Sequence, residues 1–310
     1  MPRPLALAVD FGGTKVEAAL VDDRGVLLPG SRHRRATGNA ASSDELDAAV
    51  REVVLAARAE LPAGAPLLGV GIGAAGPIDV TTGSVSPLNV PAWRDHPLAA
   101  SVAGFVPDVP ITLRIDGLCI ALAEHWVGAG RGATNLLGMI VSTGVGGGLV
   151  LGGRAAPNPT GNGGHIGHVE VGGFDDVCAC GGRGCLEAVA SGPRTVAWAR
   201  TQGFTGETGE ALALAHAAGD PIAIAAVARA GGAIGHAIAS ATNLLDLDVV
   251  AIGGGFSRVS PALFEHAREA ITERTAFPFV GRVAVVPSGL SDEGPLIGAA
   301  ALVHRPELLA

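Results

Sequence analysis

LALAVDFGGTKVEAALVDDRG, residues 5–25, reads as a strand, a glycine turn and a second strand. Leu5 to Asp10 has strand patterning, Gly12-Gly13-Thr14-Lys15 forms the turn, and Val16 to Val21 resumes as a strand. Asp22-Asp23-Arg24-Gly25 is then expected to turn the chain into a third strand. Glycine between strands leaves backbone N–H groups exposed and lets a phosphate chain approach closely. The device recurs downstream, where Asn135 to Ser142 is a predicted strand and Leu149 to Leu151 its returning partner. The turn between them is Thr143-Gly144-Val145-Gly146-Gly147-Gly148. A third glycine turn, Gly253-Gly254-Gly255, follows a strand over Val249 to Ile252. An internal repeat of this kind argues for two similar lobes, each offering a glycine turn to one ligand. The turns match neither GxxxxGK[ST] nor the Rossmann fingerprint.

Between the turns the chain alternates strand and helix patterns. Ser42 and Ser43 are plausible caps of a helix running to about Leu61, with apolar positions at Leu46, Val50, Val53 and Val54. Strands are expected at Leu67 to Ile72 and Ile111 to Ile115, a helix at Gly117 to Trp126, a long amphipathic helix at Ile222 to Leu245, and an apolar helix at Pro295 to His304. The 310 residues suffice for two compact lobes, and 48% apolar with 16% charged residues describes a globular chain. A net charge of −8 and a single basic cluster, Arg32-His33-Arg34-Arg35, argue against nucleic acid, and the cluster reads as a solvated loop. No apolar run is expected to span a membrane, and the amino terminus reads as a strand and not as a signal peptide. A reduced, cytoplasmic protein is the expectation.

Five positions carry candidate chemistry on residue type alone. Asp10, just before the first turn, is placed to hold a magnesium ion through water. Lys15 is the only lysine in a chain otherwise furnished with arginine, and a compact point charge in a glycine loop suits a phosphate. With Thr14 on its own turn and Thr143 on the second, it completes a phosphate-binding set. Asp116 stands at the carboxyl end of a strand and opens a helix. That placement fits a general base at an α/β crevice, and equally a helix N-cap.

GNGGHIGHVEVGGFDDVCACGGRGCLE, residues 161–187, holds three of the four cysteines, Cys178, Cys180 and Cys185, with His168 upstream. Cys178 and Cys180 are too close to pair readily and three thiols leave one over, so a disulfide framework fits poorly. One imidazole and three thiolates on a short glycine-rich loop suit tetrahedral Zn²⁺, and four protein ligands make such a site structural.

DFGGTK (10–15), VSTGVGGGLVLGG (141–153), GHIGH…CACGGRGCLEAVASG (164–192) and VVAIGGGFS (249–257) together resemble the ROK family of bacterial sugar kinases and repressors. The resemblance spans nearly the whole chain, and its zinc loop is specific to that family. It implies an α/β, two-lobed actin-like ATPase (ribonuclease H-like) fold with sugar and ATP in a cleft. It further implies Mg-ATP-dependent transfer of the γ-phosphoryl group to a sugar hydroxyl, usually O6. Asp116 falls on the family's catalytic aspartate, and His168 and Glu187 fall on sugar-contacting positions. Gly12, Gly13, Thr14, Lys15, Thr143, Gly144, Gly146 and Gly147 fall on the phosphate turns, and Gly254 and Gly255 on the nucleoside-binding segment. Lobes are expected at 1–116 plus about 296–310, and at 117–295. Family habit implies a homodimer or homotetramer.

Two departures fall in the sugar site. Ile115 stands where the family has asparagine, and His165 where it has glutamate. GHIGH resembles the bacterial N-acetylmannosamine kinases, which keep the asparagine. An apolar side chain facing a buried hydroxyl costs roughly 1–3 kcal/mol. The substitution therefore implies altered specificity, unless Ile115 turns into the core and Asn89 supplies the contact. The leading acceptors are N-acetylmannosamine and glucose. A sugar-sensing regulator is the second reading, disfavoured because the first strand starts within a few residues of Met1. A catalytically silent sugar-binding protein is the third, and polyphosphate as donor is a variant of the first.

Overall fold

The computed structural model describes residues 2–290 and 292–309, and the chain divides into two compact units. The first unit comprises residues 1–131, 153–163 and 292–310, and the second 132–152 and 164–291.

In the first unit, β1 (Leu5–Phe11) and β2 (Lys15–Asp22) form the expected antiparallel hairpin, with Leu5 opposite Asp22 and Phe11 opposite Val16. The third strand starts later than Gly25: Val21 and Leu27 make a single bridge before β3 (His33–Ala36) pairs with β2. Asp22 holds the intervening turn by accepting from the backbone N–H groups of Arg24 and Val26. Three of the four residues of the arginine cluster, His33, Arg34 and Arg35, therefore lie on an edge strand and not in a loop. Arg35 pairs with Glu52, and Arg32 and Arg34 with Glu17. Helix α1 (Ser43–Ala59) opens on a capping box between Ser42 and Glu45 and buries Leu46, Val50, Val53 and Val54. β4 (Leu67–Ala74) lies parallel to β1. Two short strands, β5 (Ile78–Asp79) and β6 (Ser84–Val85), and α2 (Leu98–Phe105) lead to β7 (Ile111–Ile115), which is parallel to β4. The sheet order is β3-β2-β1-β4-β7. α3 (Asp116–Trp126) follows, and the return segment carries β10 (Arg154–Ala155).

The helix α9 (Gly294–His304) closes the unit by packing on β1, β4 and α3. Its approach requires glycine: a Cβ on Gly71 would lie 1.8 Å from the Ala299 carbonyl oxygen, and one on Gly298 would lie 1.8 Å from that of Cys119. This packing corrects the lobe boundaries expected from sequence. α3 belongs with the first unit, which therefore runs past residue 116 to 131, because α3 and α9 cover the sheet together.

In the second unit, β8 (Leu136–Val141) and β9 (Val145–Leu151) repeat the hairpin. β8 is parallel to β11 (Val249–Gly253), which is parallel to β12 (Ala284–Pro287). Helices α4 (Leu186–Ala190), α5 (Gly192–Thr201) and α6 (Gly209–Ala217) pack around α7 (Pro221–Leu245), which lies against α8 (Ala262–Arg274). α7 is capped by Asp220, whose carboxylate accepts from the N–H groups of Ile222 and Ala223. At 25 residues it is long and apolar enough to cross a membrane, contrary to the sequence reading, yet most of it is buried inside the chain. Ala226, Ala230, Ile234 and Ile238 put it in the core of this unit.

Candidate active site

The first unit places its chemistry at the carboxyl ends of three parallel strands. Asp10 on β1 pairs in register with Gly73 on β4, and Ala74 with Ile115 on β7, the residue before Asp116. Gly73 leaves the space between them open: a Cβ there would sit 3.8 Å from the Asp116 Cα and 3.1 Å from the Cys119 sulfur. Asp10 is buried, and burial first, then the neighbouring Asp116 charge, raise its pKa to about 7, with Lys15 opposing. Asp116 is half-buried and raised to about 6 by burial, partly offset by the Gly117 N–H that donates to Oδ1 at 2.7 Å.

These shifts have a sign. Between about pH 4 and 6 the folded chain keeps a proton on Asp116 that the unfolded chain has released, so stability falls as pH rises through that window. Asp116→Asn removes the penalty. Relative to wild type it should be unchanged in stability at pH 3.5 and more stable by about 1–3 kcal/mol above pH 7 in the metal-free protein. Urea melts at the two pH values check this, and equal differences at both would contradict it.

The first glycine turn is closed by the Gly12 N–H donating to the Lys15 carbonyl at 2.9 Å and held by Thr37, whose hydroxyl donates to the Gly12 carbonyl at 2.9 Å. Asn89 lies across it, since a Cβ on Gly13 would lie 1.9 Å from the Asn89 Nδ2. Thr14 is exposed beside it. The Lys15 ammonium is engaged elsewhere than in open solution. It pairs with Glu17, whose side chain is 1% exposed and also takes Arg32 at 3.0 Å and Arg34 at 2.6 Å. Burial alone would raise Glu17, but Lys15 and the arginines hold its carboxyl below the ordinary range. Sequence reasoning missed Glu17. The one available signal was an acid two residues from the lone lysine, on the same face of a strand.

Ile115 is 3% exposed and lies over Gly76, where a Cβ would sit 2.9 Å from its Cδ1. Asn162, also missed from sequence, adjoins the same glycine, with its Oδ1 3.5 Å from that Cβ position. Its amide accepts from the Ile78 N–H at 2.8 Å and donates to the Ile78 and Thr160 carbonyls at 2.7 and 3.0 Å, so it serves as a strut.

In the second unit the glycine turn is shorter than expected. The Ser142 N–H donates to the Gly144 carbonyl at 2.9 Å, and β9 begins at Val145. Thr143 is exposed at the tip. Gly146 and Gly147 are strand residues opposite Ile140 and Met139, and Gly147 packs under Ile166. Glu187, in the first turn of α4, reaches this turn. Its Oε2 accepts from the Val145 N–H at 2.9 Å, and a Cβ on Gly144 would lie 2.6 Å from it. The third glycine segment leads into a 3₁₀ turn (Phe256–Arg258) rather than a returning strand. Gly254 has φ +97° against the Val141 carbonyl, and a Cβ on Gly255 would lie 3.6 Å from the Ser142 hydroxyl, so the two glycine segments adjoin. Gly253, Gly254, Ser257, Arg258, Glu265 and Arg268 line a cavity of about 400 Å³ beside them.

His165 and His168 sit with ring centroids 5.8 Å apart around a 3₁₀ turn, and burial, then the His168 charge, hold His165 below the ordinary imidazole range. His168, Cys178, Cys180 and Cys185 bring one ligand atom each within 4.8 Å of one another. The His168 Nδ1 lies 3.7 Å from the Cys178 sulfur, and the Cys180 and Cys185 sulfurs are 3.7 Å apart. A disulfide would need about 2.05 Å. Ligands at about 2.3 Å from a tetrahedral ion are separated by roughly 3.7 Å, so the donor set fits zinc.

Comparison with known proteins places the chain among carbohydrate kinases of the two-lobed actin-like ATPase class. A family model described as the ROK family matches residues 6–306, and the chain belongs to that family. It is 32% identical to a glucokinase of Thermotoga maritima over 98% of this chain and 99% of the relative. It is also 32% identical to an N-acetylmannosamine kinase of Yersinia pseudotuberculosis over 95% of this chain and 96% of the relative. Among solved structures, a ROK glucokinase from Streptomyces griseus in complex with glucose and AMPPNP superposes with a TM-score of 0.82 at 28% identity, covering 97% of this chain and 99% of the other.

Proposed function

We propose that this protein transfers the γ-phosphoryl group of Mg-ATP to the primary hydroxyl of a hexose or N-acylhexosamine, with N-acetylmannosamine and glucose the leading acceptors. Asp116 carries the reading: a half-buried carboxyl with a raised pKa of about 6 at a strand's carboxyl end is suited to take a hydroxyl proton near neutrality. Asp10 is buried at the same strand ends, close enough to Asp116 for the two charges to interact, which fits a water-mediated magnesium contact. Magnesium there would neutralise phosphate charge. The first turn offers the Gly13 and Thr14 backbone and the Thr14 hydroxyl to the phosphates. Lys15 supplies field from its place on Glu17 and not a free ammonium. In the second unit, Thr143 and Gly144 are the phosphate turn, while Gly146 and Gly147 form the strand behind it. The cavity beside Gly254 and Gly255 has the volume for a nucleoside. His165, His168 and Glu187 are the sugar contacts of that unit, and a zinc ion on His168 and the cysteines would hold their loop in shape.

The acceptor is narrowed by Ile115. Packed over Gly76, it gives a sugar no hydrogen-bond partner, and Asn89 lies on the glycine turn, so an acceptor demanding a hydroxyl contact at Ile115 is disfavoured. His165 in a GHIGH segment and the relative named N-acetylmannosamine kinase support the N-acyl sugar.

An ADP-release assay with Mg-ATP against glucose, mannose, N-acetylglucosamine, N-acetylmannosamine, fructose and allose tests this. Turnover is expected on N-acetylmannosamine or glucose. Silence across the panel from protein that binds ATP would overturn this choice of acceptors, leaving an unusual substrate or a protein that binds sugar without phosphorylating it.

A further inference from the structure

Arg229 on α7 belongs to none of the motifs above, yet it meets three parts of the second unit at once. Its Nη2 donates to the Asp176 carboxylate at 2.6 Å, and its Nη1 to the Val189 carbonyl at 3.3 Å. The guanidinium carbon lies 5.0 Å from the Phe174 ring centroid and 5.3 Å from that of Trp198, so the plane is held between two aromatic residues. The side chain is 15% exposed.

Each contact has a structural consequence. Asp176 is at the base of the cysteine knuckle: its carbonyl accepts from the Gly184 N–H at 2.9 Å, while Val177 bridges Arg183 and the Cys178 N–H donates to the Gly182 carbonyl. Val189 lies in α4, the five-residue helix that carries Glu187. The helical partner of its carbonyl would be the N–H of residue 193, but residue 193 is proline and has none. Arg229 fills that vacancy. One planar fork thus ties the knuckle of the three cysteines to the helix of Glu187, a geometry that lysine cannot reproduce.

We propose that Arg229 is a positioning residue that sets the knuckle and the Glu187 helix in register, and so tunes both acceptor binding and retention of the metal. The acceptor part rests on the kinase reading above; the metal part does not. Arg229→Met keeps an apolar stem between the rings and removes both hydrogen bonds and the charge, whereas Arg229→Lys keeps the charge and loses the fork.

The test measures KM for N-acetylmannosamine, glucose and ATP, together with the rate of zinc release to a colorimetric chelator, in wild type, Arg229→Met, Arg229→Lys, Asp176→Asn and the double variant of Arg229→Met with Asp176→Asn. We expect Arg229→Met to raise the sugar KM about 10-fold or more, to leave the ATP KM unchanged and to speed zinc release. Arg229→Lys should fall between it and wild type, and Asp176→Asn should add little to Arg229→Met when combined with it. Unchanged sugar KM and unchanged zinc release in Arg229→Met would overturn the proposal, as would a sugar and ATP KM raised together. If Arg229→Met does not fold, a wild-type zinc-release rate and sugar KM in Arg229→Lys would overturn it equally. Wild-type protein inactive on both sugars would overturn the choice of acceptors alone, and zinc release would still decide the anchoring role.

Discussion

Asp116→Asn is expected to lower kcat by about 10²–10⁴-fold, the ordinary contribution of a general base, while leaving the KM for sugar within the same range. Asparagine preserves the shape and the hydrogen bond from the Gly117 N–H, so the loss reports the missing base and not a collapsed strand end. Wild-type kcat/KM should fall tenfold per pH unit below about 6, where Asp116 becomes protonated, and the residual activity of the variant should lack that limb. Initial rates across pH 5–8 check both points. Full turnover in Asp116→Asn would remove Asp116 from the chemistry. The raised pKa also means that the wild type keeps at this position a carboxylate its surroundings disfavour. The same substitution that removes turnover should therefore stabilise the protein at neutral pH, the expected signature of a residue kept for chemistry.

Removal of the metal should produce the second large effect. Cys180 is exposed, so Cys180→Ser has little packing cost, and what is lost with the thiolate is one ligand of the proposed zinc site. We expect the variant, or wild type treated with a strong chelator, to lose about 10–100-fold in kcat/KM for the sugar. The melting temperature should fall together with it, because binding free energy at a site absent from the unfolded chain is folding free energy. The KM for ATP should hold, since the Gly254 cavity is lined by residues outside the loop. Elemental analysis showing well under one zinc per chain in active protein would overturn the zinc reading. A parallel loss of ATP affinity would show that the loop does more than shape sugar contacts.

Much of the site was legible because its signals are local. Cys178, Cys180, Cys185 and His168 lie within a single loop, and ligand type with spacing was sufficient to expect the four atoms that the fold gathers within 4.8 Å. Both hairpins were likewise visible, as glycine interrupts the strand pattern at positions 12–13 and at 144. The surroundings of Lys15 were hidden for the opposite reason. Its counter-charge Glu17 was in plain view, but only the burial of β2 and the arrival of β3 with Arg32 and Arg34 make that carboxylate one that must be neutralised. Gly146 and Gly147 were read as turn because a run of glycine looks alike in a turn and in a strand packed under Ile166.

The sequence by itself determined the α/β class, the repeated strand-turn-strand device, the cluster of His168 with three cysteines and the position of Asp116 at a strand's end, since each is written in neighbouring residues and in backbone rules of short range. Tertiary structure alone decided where the lobes divide, what Ile115 packs against, how Asn162 braces Ile78 and why Arg229 sits between Phe174 and Trp198. Those outcomes depend on which surfaces meet after the chain has turned back on itself. Burial and close approach between distant segments are properties of packing, and no local pattern of residues encodes them.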